Sequence, residues 1–145
     1  MKIGLLSDTH GWLDPKIEKF FEDCDEVWHC GDIGDLLVAE RLAALYNFRA
    51  VYGNIDGGEL RRMFRDILIF DCGGVKIVMT HIGGYPGHYD PRIREVLNRE
   101  HPQLFVCGHS HILKVMYDKK EHKRSLRSLV RRRNHYTEGL SLHGA

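Results

Sequence analysis

Seven side chains with metal-binding donor atoms stand at the ends of apolar runs, most of them beside a glycine. They combine carboxylate, imidazole and amide groups, and this mixture of oxygen and nitrogen donors suits Mn, Fe, Zn, Co or Ni better than Ca or Mg alone. Two pairs have i, i+2 spacing, which places both members on one face of an extended segment, so each pair can close on one ion. The seven residues are Asp8, His10, Asp32, Asn54, His81, His109 and His111, and the pairs are the first two and the last two.

This set is too large for one tetrahedral ion but suits two divalent ions that share one carboxylate, and we take Asp32 as the bridge. Two ions roughly 3.5 to 4 Å apart can bind two phosphate oxygens and acidify a bridging water for in-line attack. The set therefore predicts hydrolysis of a phosphate ester, with hydroxide as the nucleophile and no covalent intermediate. Manganese is the first choice of metal, with nickel, cobalt, zinc and iron as alternatives.

Strand-like and helical patterns alternate through the first half of the chain, which predicts parallel strands joined by right-handed crossovers. Ligands of such sheets bind outside the carboxyl ends of the strands. We therefore expect Asp8, Asp32 and Asn54, which follow three of the strands, to gather at one sheet edge. The predicted strands are 2–6, 26–30, 48–52, 66–71, 75–80, 103–107 and 112–117, with a hairpin turn at 72–74, and the predicted helices are 15–24, 36–45 and 91–100.

The composition is that of one globular protein, with 43% apolar and 28% charged residues in a chain of 145. No apolar run approaches the roughly 20 residues that span a bilayer, and the amino terminus does not resemble a signal peptide, so we expect no membrane partner. The four cysteines lie far apart without a C-x-x-C pair, which predicts reduced, buried thiols in a cytoplasmic protein. The composition leaves the oligomeric state open, and a homo-oligomer is compatible with it.

Residues 119–145 differ from the rest of the chain in charge and pattern. They contain eight Lys or Arg and two Glu, which leaves 13 basic and 18 acidic residues, a balance of −5, in 1–118. We therefore divide the chain into a domain at 1–118 and a basic tail at 119–145, where some helix around 125–133 is compatible with the sequence. Such a tail could bind nucleic acid, but its basic residues lack interleaved aromatic residues, which favours a solvated segment.

Five short motifs carry the candidate ligands in a fixed order along the chain. They are D-T-H at 8–10, G-D at 31–32, G-N-x-D at 53–56, T-H at 80–81 and G-H-S-H at 108–111. In order and spacing they resemble the calcineurin-like metallophosphoesterases, above all the small bacterial and archaeal phosphodiesterase branch, over residues 1–118. The resemblance implies an α/β fold, a metallophosphoesterase sandwich of two mixed β-sheets flanked by helices.

The resemblance also implies how the ligands divide between the two ions. Asp8, His10, Asp32 and His111 would hold one ion, and Asp32, Asn54, His81 and His109 the other. By the same resemblance, Asn54, His109 or the metals themselves would stabilise the charge that builds on the phosphoryl oxygen, so that Asp32, Asn54 and His109 are the candidate catalytic residues.

Two departures from the family pattern leave room for another class of protein. Ile55 stands where the wider superfamily has the histidine that protonates the leaving group, and the Asn-Pro-Gly segment and extra strand that usually follow G-H-x-H in the small branch are missing. The rival hypothesis is a non-catalytic binding scaffold, as in the retromer subunit that keeps this fold while losing ligands. The intact ligand set favours the enzyme.

Other polar residues have simpler interpretations. His88 lies in a Gly- and Pro-containing loop and is a candidate substrate contact. Asp56, by the family motif, is an acidic residue that orients a ligand. We interpret His29 as a packed residue of the predicted strand 26–30. The predicted helix caps are Asp14, Asp35 and Asp90.

Overall fold

Two four-stranded sheets and four helices make up the described part of the chain. The computed structural model describes residues 1–84, 88–108, 114–116 and 140–141. The elements are β1 (Lys2–Leu6), α1 (Ile17–Phe20), β2 (Glu26–His29), α2 (Leu36–Leu45), β3 (Phe48–Ala50), α3 (Gly58–Met63), β4 (Ile67–Cys72), β5 (Val75–Thr80), α4 (Pro91–Glu100), β6 (Leu104–Cys107), β7 (Lys114–Met116) and β8 (Leu140–Ser141).

The first sheet has the order β3-β2-β1-β8, and its first three strands are parallel as predicted. In the register, Leu6 lies opposite His29, and His29 lies opposite Ala50, so these strands end at one edge. Four of the five residues of β1 are buried, which is typical of a parallel strand covered on both faces. The loops that carry the candidate ligands therefore leave the sheet side by side.

The second sheet has the order β4-β5-β6-β7. The predicted hairpin is present, with β4 antiparallel to β5 and a turn through Gly73 and Gly74, both at positive φ. β5 is parallel to β6, and β6 is antiparallel to β7. In the first sheet β8 is antiparallel to β1, so both sheets are mixed, and the predicted α/β fold of two mixed sheets with helices is confirmed.

The main core lies between the two sheets. Ile3, Leu5 and Trp28 of the first sheet pack with Ile77 and Met79 of the second, and each is at most 3% exposed. Alternate residues of a strand point to opposite faces, so the i, i+2 spacing of these side chains directs them to one interface. Burying a large apolar side chain contributes roughly 1.5 to 3 kcal/mol, and this interface fixes one sheet against the other.

The helices cover the outer faces. Leu6 and Val27, on the opposite face of the first sheet, pack with Ile17 of α1 and Leu42 of α2. On the second sheet, α4 contributes Ile93 and Val96 to a cluster with Val78 and Phe105. None of the helices in the described ranges is long and apolar enough to cross a membrane.

Two of the predicted caps begin the helices whose predicted bounds agree best with the structure. The Asp35 carboxylate accepts the backbone N–H of Leu37 at the start of α2 at 2.9 Å. The Asp90 carboxylate accepts the N–H of Arg92 at 3.0 Å, and Pro91 occupies the first position of α4. The bounds predicted for both helices, 36–45 and 91–100, are confirmed.

The first helix is much shorter than the predicted 15–24, because α1 has four residues. Asp14 caps the turn that precedes it, since its carboxylate accepts a backbone N–H two residues further on at 2.9 Å. The chain has to leave the helix early because Asp25 N–H already donates to Lys2 O of β1 at 2.7 Å. The short helix α3 was not predicted, because it starts at two glycines and buries only one of its residues.

Within the described ranges, the strands depart most from the prediction at two places, whereas β2, β4 and β6 differ by at most one residue at an end. The run 48–52 is strand only to Ala50, and Val51 instead forms a parallel bridge with Arg65. In the tail, Leu140–Ser141 forms β8 and pairs antiparallel with Lys2 and Ile3 of β1, although the sequence predicted no strand there. The helix considered at 125–133 lies outside the described residues, and the domain boundary after residue 118 stays a prediction.

Candidate metal centre

The loops after β1 and β2 are joined to each other by backbone hydrogen bonds that continue beyond the strands. Asp8 N–H donates to Gly31 O at 3.0 Å, and His10 N–H donates to Asp32 O at 3.1 Å. Gly11 N–H then donates to the carbonyl of the residue after Asp32 at 2.7 Å. The D-T-H and G-D motifs are thereby held as one unit at the carboxyl edge of the first sheet.

Three candidate ligands occupy a backbone conformation that residues other than glycine rarely adopt. The φ angle is 56° at Asp8, 52° at His10 and 56° at Asp32. Such positions cost on the order of 1 to 3 kcal/mol each and tend to cluster at functional sites. The concentration of strain in these two loops points to a functional constraint on the directions of the three side chains.

Two carboxylates and two imidazoles converge at this edge. Donor atoms of Asp8, Asp32 and His81 all lie within 4.8 Å of one another. His81 Nε2 is 3.2 Å from Asp32 Oδ2 and 3.8 Å from Asp8 Oδ1. His10 Nε2 lies 3.8 Å from Asp8 Oδ1 and 3.7 Å from Asp32 Oδ2. Of the sequence-predicted ligands, the structure thus brings Asp8, His10, Asp32 and His81 together.

The protonation pattern of His81 fits a metal ligand. Its Nδ1 lies 2.7 Å from Cys30 O, and because a carbonyl only accepts, Nδ1 carries the proton. Nε2 then faces the two carboxylates, so its lone pair is available to a cation bound between them. Fixing one ring nitrogen on a backbone carbonyl so that the other can bind a metal is the usual arrangement of histidine ligands.

The carboxylates give a second indication that a cation belongs here. Asp8 Oδ2 accepts from Ser7 Oγ at 2.6 Å, but Asp8 Oδ1 is buried and has no hydrogen-bond partner in the described part of the chain. The side chain of Asp32 is only 4% exposed. Two adjacent buried carboxylates repel each other and lose hydration, which a divalent cation offsets. The donor set therefore fits a divalent metal ion.

Two glycines of the motifs allow the ligands to approach the backbone closely. Gly31 has a φ of 98°, and a Cβ at this position would lie 2.7 Å from the ring of His81. A Cβ at Gly53 would overlap Asp32 Oδ1. Glycine is required at both positions because any side chain would displace a candidate ligand. Gly31 is also required for its positive φ, which other residues rarely adopt.

Asp56 supports the loops of the site through backbone hydrogen bonds but does not belong to the ligand cluster. Its buried carboxylate accepts backbone N–H groups of Ile33, Gly34 and Gly53, at distances of 3.1, 2.8 and 2.8 Å. It therefore ties the loop after β2 to the loop after β3. This geometry agrees with the orienting role that the family motif implies for Asp56.

A second supporting network centres on His29, which is buried as predicted but also hydrogen-bonded. Gly31 N–H donates to His29 Nδ1 at 3.1 Å, so Nε2 carries the proton and donates to Thr9 Oγ1 at 3.0 Å. Thr9 Oγ1 in turn donates to Ile33 O at 3.0 Å. Burial lowers the pKa of His29 to about 4, so the ring is neutral near pH 7.

The Thr9–His29 network was missed by sequence reasoning. The available signal was a hydroxyl residue between two ligands and a histidine two residues before the G-D motif. The network matters because Thr9 stands between two strained residues and its hydroxyl joins them to the neighbouring loop.

Asn54 and His88 are both exposed. Asn54 lies beside the ligand cluster, since it lines one cleft together with His81. The loop that contains His88 closes through a hydrogen bond from Asp90 N–H to Gly83 O at 3.1 Å. Metal binding by Asn54 and a substrate contact by His88 stay predictions.

His109 and His111 lie outside the described residues, but the chain leads to them from the site. Gly108 N–H donates to His81 O at 3.0 Å, and Gly108 packs so closely on Ser7 that a Cβ would overlap the Ser7 hydroxyl. The chain therefore reaches residue 108 next to the D-T-H and T-H motifs.

Comparison with known proteins identifies the family. A family model described as the calcineurin-like phosphoesterase superfamily domain matches residues 1–129. The phosphodiesterase MJ0936 of Methanocaldococcus jannaschii is 30% identical over 128 residues, covering 77% of this chain and 74% of that protein. The chain belongs to the calcineurin-like phosphoesterase superfamily, and the resemblance read from the five motifs is confirmed.

Solved structures show the same fold at lower identity. An archaeal phosphodiesterase matches with a TM-score of 0.62 and 24% identity, covering 90% of this chain and 99% of that one. Vps29 of Entamoeba histolytica, solved in complex with zinc, matches with a TM-score of 0.58 and 16% identity, covering 77% of this chain and 65% of that one. The first of these spans nearly the same length of chain as the present protein.

Proposed function

We propose that this protein is a phosphodiesterase that depends on two divalent metal ions. The proposed ligands are the seven residues of the sequence motifs, with Asp32 shared by both ions. When bound, the ions would supply a hydroxide nucleophile and positive charge for the phosphate oxygens. The seven ligands are Asp8, His10, Asp32, Asn54, His81, His109 and His111.

The chain's own residues would perform the remaining work. Asp8 and His10, at strained positions of one loop, would hold one ion against Asp32. The His81 ring, fixed by its hydrogen bond to the backbone carbonyl of Cys30, would direct Nε2 to the other ion. Asn54 and His109 would stabilise charge on the phosphoryl oxygens.

One observation carries the proposal. The buried Asp8 Oδ1, which has no hydrogen-bond partner among the described residues, lies 3.8 Å from Nε2 of both His10 and His81. Buried carboxylate oxygens without a donor are rare in proteins, and a metal ion explains this one without further assumptions. The relationship to the phosphodiesterase MJ0936 supports a phosphate diester as the substrate.

The test combines metal analysis with turnover. Protein purified without chelator should contain two divalent ions per chain, and removing them should abolish hydrolysis of bis(4-nitrophenyl) phosphate. Adding back Mn, Ni, Co, Zn and Mg in separate reactions should restore hydrolysis, with Mn the most effective. A protein with a single ion at full activity would contradict the two-metal proposal.

The second candidate function is a binding scaffold without catalysis. It is supported by the similarity in fold to Vps29, one structure of which contains zinc, so metal binding alone does not separate the two functions. The separating result is turnover: a chain that binds two ions but hydrolyses no diester with any of the five metals would favour the scaffold.

A further inference from the structure

A cleft of about 200 Å³ opens directly beside the metal centre. Its walls include His81, which belongs to the ligand cluster, and Asn54, which is a proposed ligand. Tyr52, Arg61 and Arg92 also line it. A phosphate diester held at the metals would therefore have one of its two ester groups within reach of two arginines.

Arg61 is held in place at this cleft. Its Nε donates to Asp56 O at 2.7 Å, and its Nη2 lies 3.4 Å from Asn54 O. The guanidinium also stacks on the ring of Tyr52, 4.8 Å from the centroid. These contacts orient the group through uncharged partners, so they leave its positive charge available to an anion.

Arg92 lies in the first turn of α4 and is held more loosely. Its Nη1 is 3.4 Å from Asp66 Oδ2, and its Nε is 3.7 Å from Asp90 Oδ1. The side chain is 65% exposed, and surface ion pairs of this kind are weak, typically about 0 to 1 kcal/mol. A ligand phosphate or carboxylate that engages the guanidinium by two parallel hydrogen bonds can replace either contact.

The charge and size of the cleft indicate what it accepts. Arg61 and Arg92 stand against a single lining carboxylate, Asp66, which leaves the walls with a positive balance. Pockets that enclose a whole ligand are usually roughly 300 to 1,000 Å³, so this smaller space suits one functional group of a larger molecule.

We propose that the cleft is a subsite for a second anionic group, a phosphate or a carboxylate, carried by one ester group of the substrate. This inference rests on the proposed phosphodiesterase function and narrows its substrate class. The preferred substrates are diesters in which one alcohol component bears its own negative charge, and Arg61 and Arg92 are the residues that select them.

Binding is tested on zinc-loaded protein with three non-hydrolysable probes. Ethylphosphonate carries one anionic group, whereas 2-carboxyethylphosphonate and ethane-1,2-diphosphonate carry a second one, a carboxylate or a phosphonate. By isothermal titration calorimetry, at least one probe with two anionic groups should bind at least about tenfold more tightly than ethylphosphonate. A difference of this size is expected of a charge-assisted contact. The two probes with a second anionic group separate selectivity for a phosphate from selectivity for a carboxylate.

The variant that tests the assignment is Arg92→Gln, with Arg94→Gln as its matched control. Both residues are exposed arginines of α4, but only Arg92 lines the cleft. Arg92→Gln should remove the preference for the probes with two anionic groups, and Arg94→Gln should keep it. Equal affinities of the wild type for all three probes, or a preference that survives Arg92→Gln, would overturn the subsite.

Hydrolysis of bis(4-nitrophenyl) phosphate, measured on the same preparations, separates the two proposals. Its ester groups carry no charge that would engage the subsite, and Arg94→Gln, whose side chain is outside the cleft lining, should leave its rate unchanged. A protein that hydrolyses this diester but shows no preference among the probes disproves the subsite alone. A protein that shows the preference but hydrolyses no diester disproves the activity and leaves the anion subsite standing.

Discussion

The two sheets deliver their candidate ligands in different ways. After β1 and β2 the chain turns through positive φ at Asp8, His10 and Asp32. After β5 the chain passes directly from Thr80 to His81, and a hydrogen bond to a backbone carbonyl helps to orient the ring. Among the described residues, the first sheet thus supplies candidate ligands from strained loops, whereas the second supplies His81 from a simple strand end.

Strained loops need support from elsewhere in the fold, and the first sheet has two such supports. Asp56 binds the backbone of the loop after β2, and the Thr9–His29 network joins that loop to the one before it. Because each strained residue costs about 1 to 3 kcal/mol, these contacts help to hold the candidate ligands in their positions. The metal centre should therefore be sensitive to substitutions in the first sheet that remove no donor atom.

The largest such effect is expected from Gly53→Ala. The new methyl group would overlap Asp32 Oδ1 and force the proposed bridging carboxylate away. Metal content should fall to one ion or none, and the kcat/KM for bis(4-nitrophenyl) phosphate should fall by more than about 100-fold, since even losing an outer partner of a ligand costs 10- to 100-fold.

The neighbouring Gly57→Ala is the matched control, because a Cβ at Gly57 meets nothing within 4 Å. It should keep both ions and normal turnover. If the two variants bind metal equally well, the close contact between Gly53 and Asp32 has no role in the site.

The secondary structure with local signals could be predicted from the sequence. The caps Asp35 and Asp90 begin helices with the predicted bounds, and the glycine turn at 73–74 joins the predicted hairpin. The candidate ligands Asp8, Asp32 and His81 could be predicted to meet because each follows a strand end. What could not be predicted depends on contacts distant in sequence, such as the Thr9–His29 hydrogen bond and the pairing of β8 with β1.

A smaller effect is expected from Thr9→Val, which keeps the shape of the side chain but removes the hydroxyl between His29 and Ile33. The strained loop loses one support, so metal affinity should fall by about 10- to 100-fold. Thr9→Ser, which keeps the hydroxyl, should restore most of the affinity. The measurement is competition with a chelating dye, and equal affinities of the Val and Ser variants would show that the hydroxyl does not position the ligands.

The smallest effect on the site is expected from truncation after Lys120, which removes β8 from the edge of the first sheet. The pairing is two residues long. Counting one hydrogen bond for each paired residue of β8, at a net of about 0.5 to 1.5 kcal/mol per bond, its loss should lower the free energy of unfolding by about 1 to 3 kcal/mol. Chemical denaturation measures this loss. Metal content and turnover should persist, and their loss from a truncated protein that remains folded would assign the tail a part in the site.

The most direct test of the metal centre is the metal content of Asp32→Asn, measured by mass spectrometry beside Asp71→Asn, an exposed aspartate of β4. Because Asp32 is proposed to bind both ions, its amide variant should retain one ion or none and lose turnover, whereas Asp71→Asn should retain two ions and full activity. An Asp32→Asn protein with two ions and near-normal hydrolysis of bis(4-nitrophenyl) phosphate would contradict the shared-carboxylate centre.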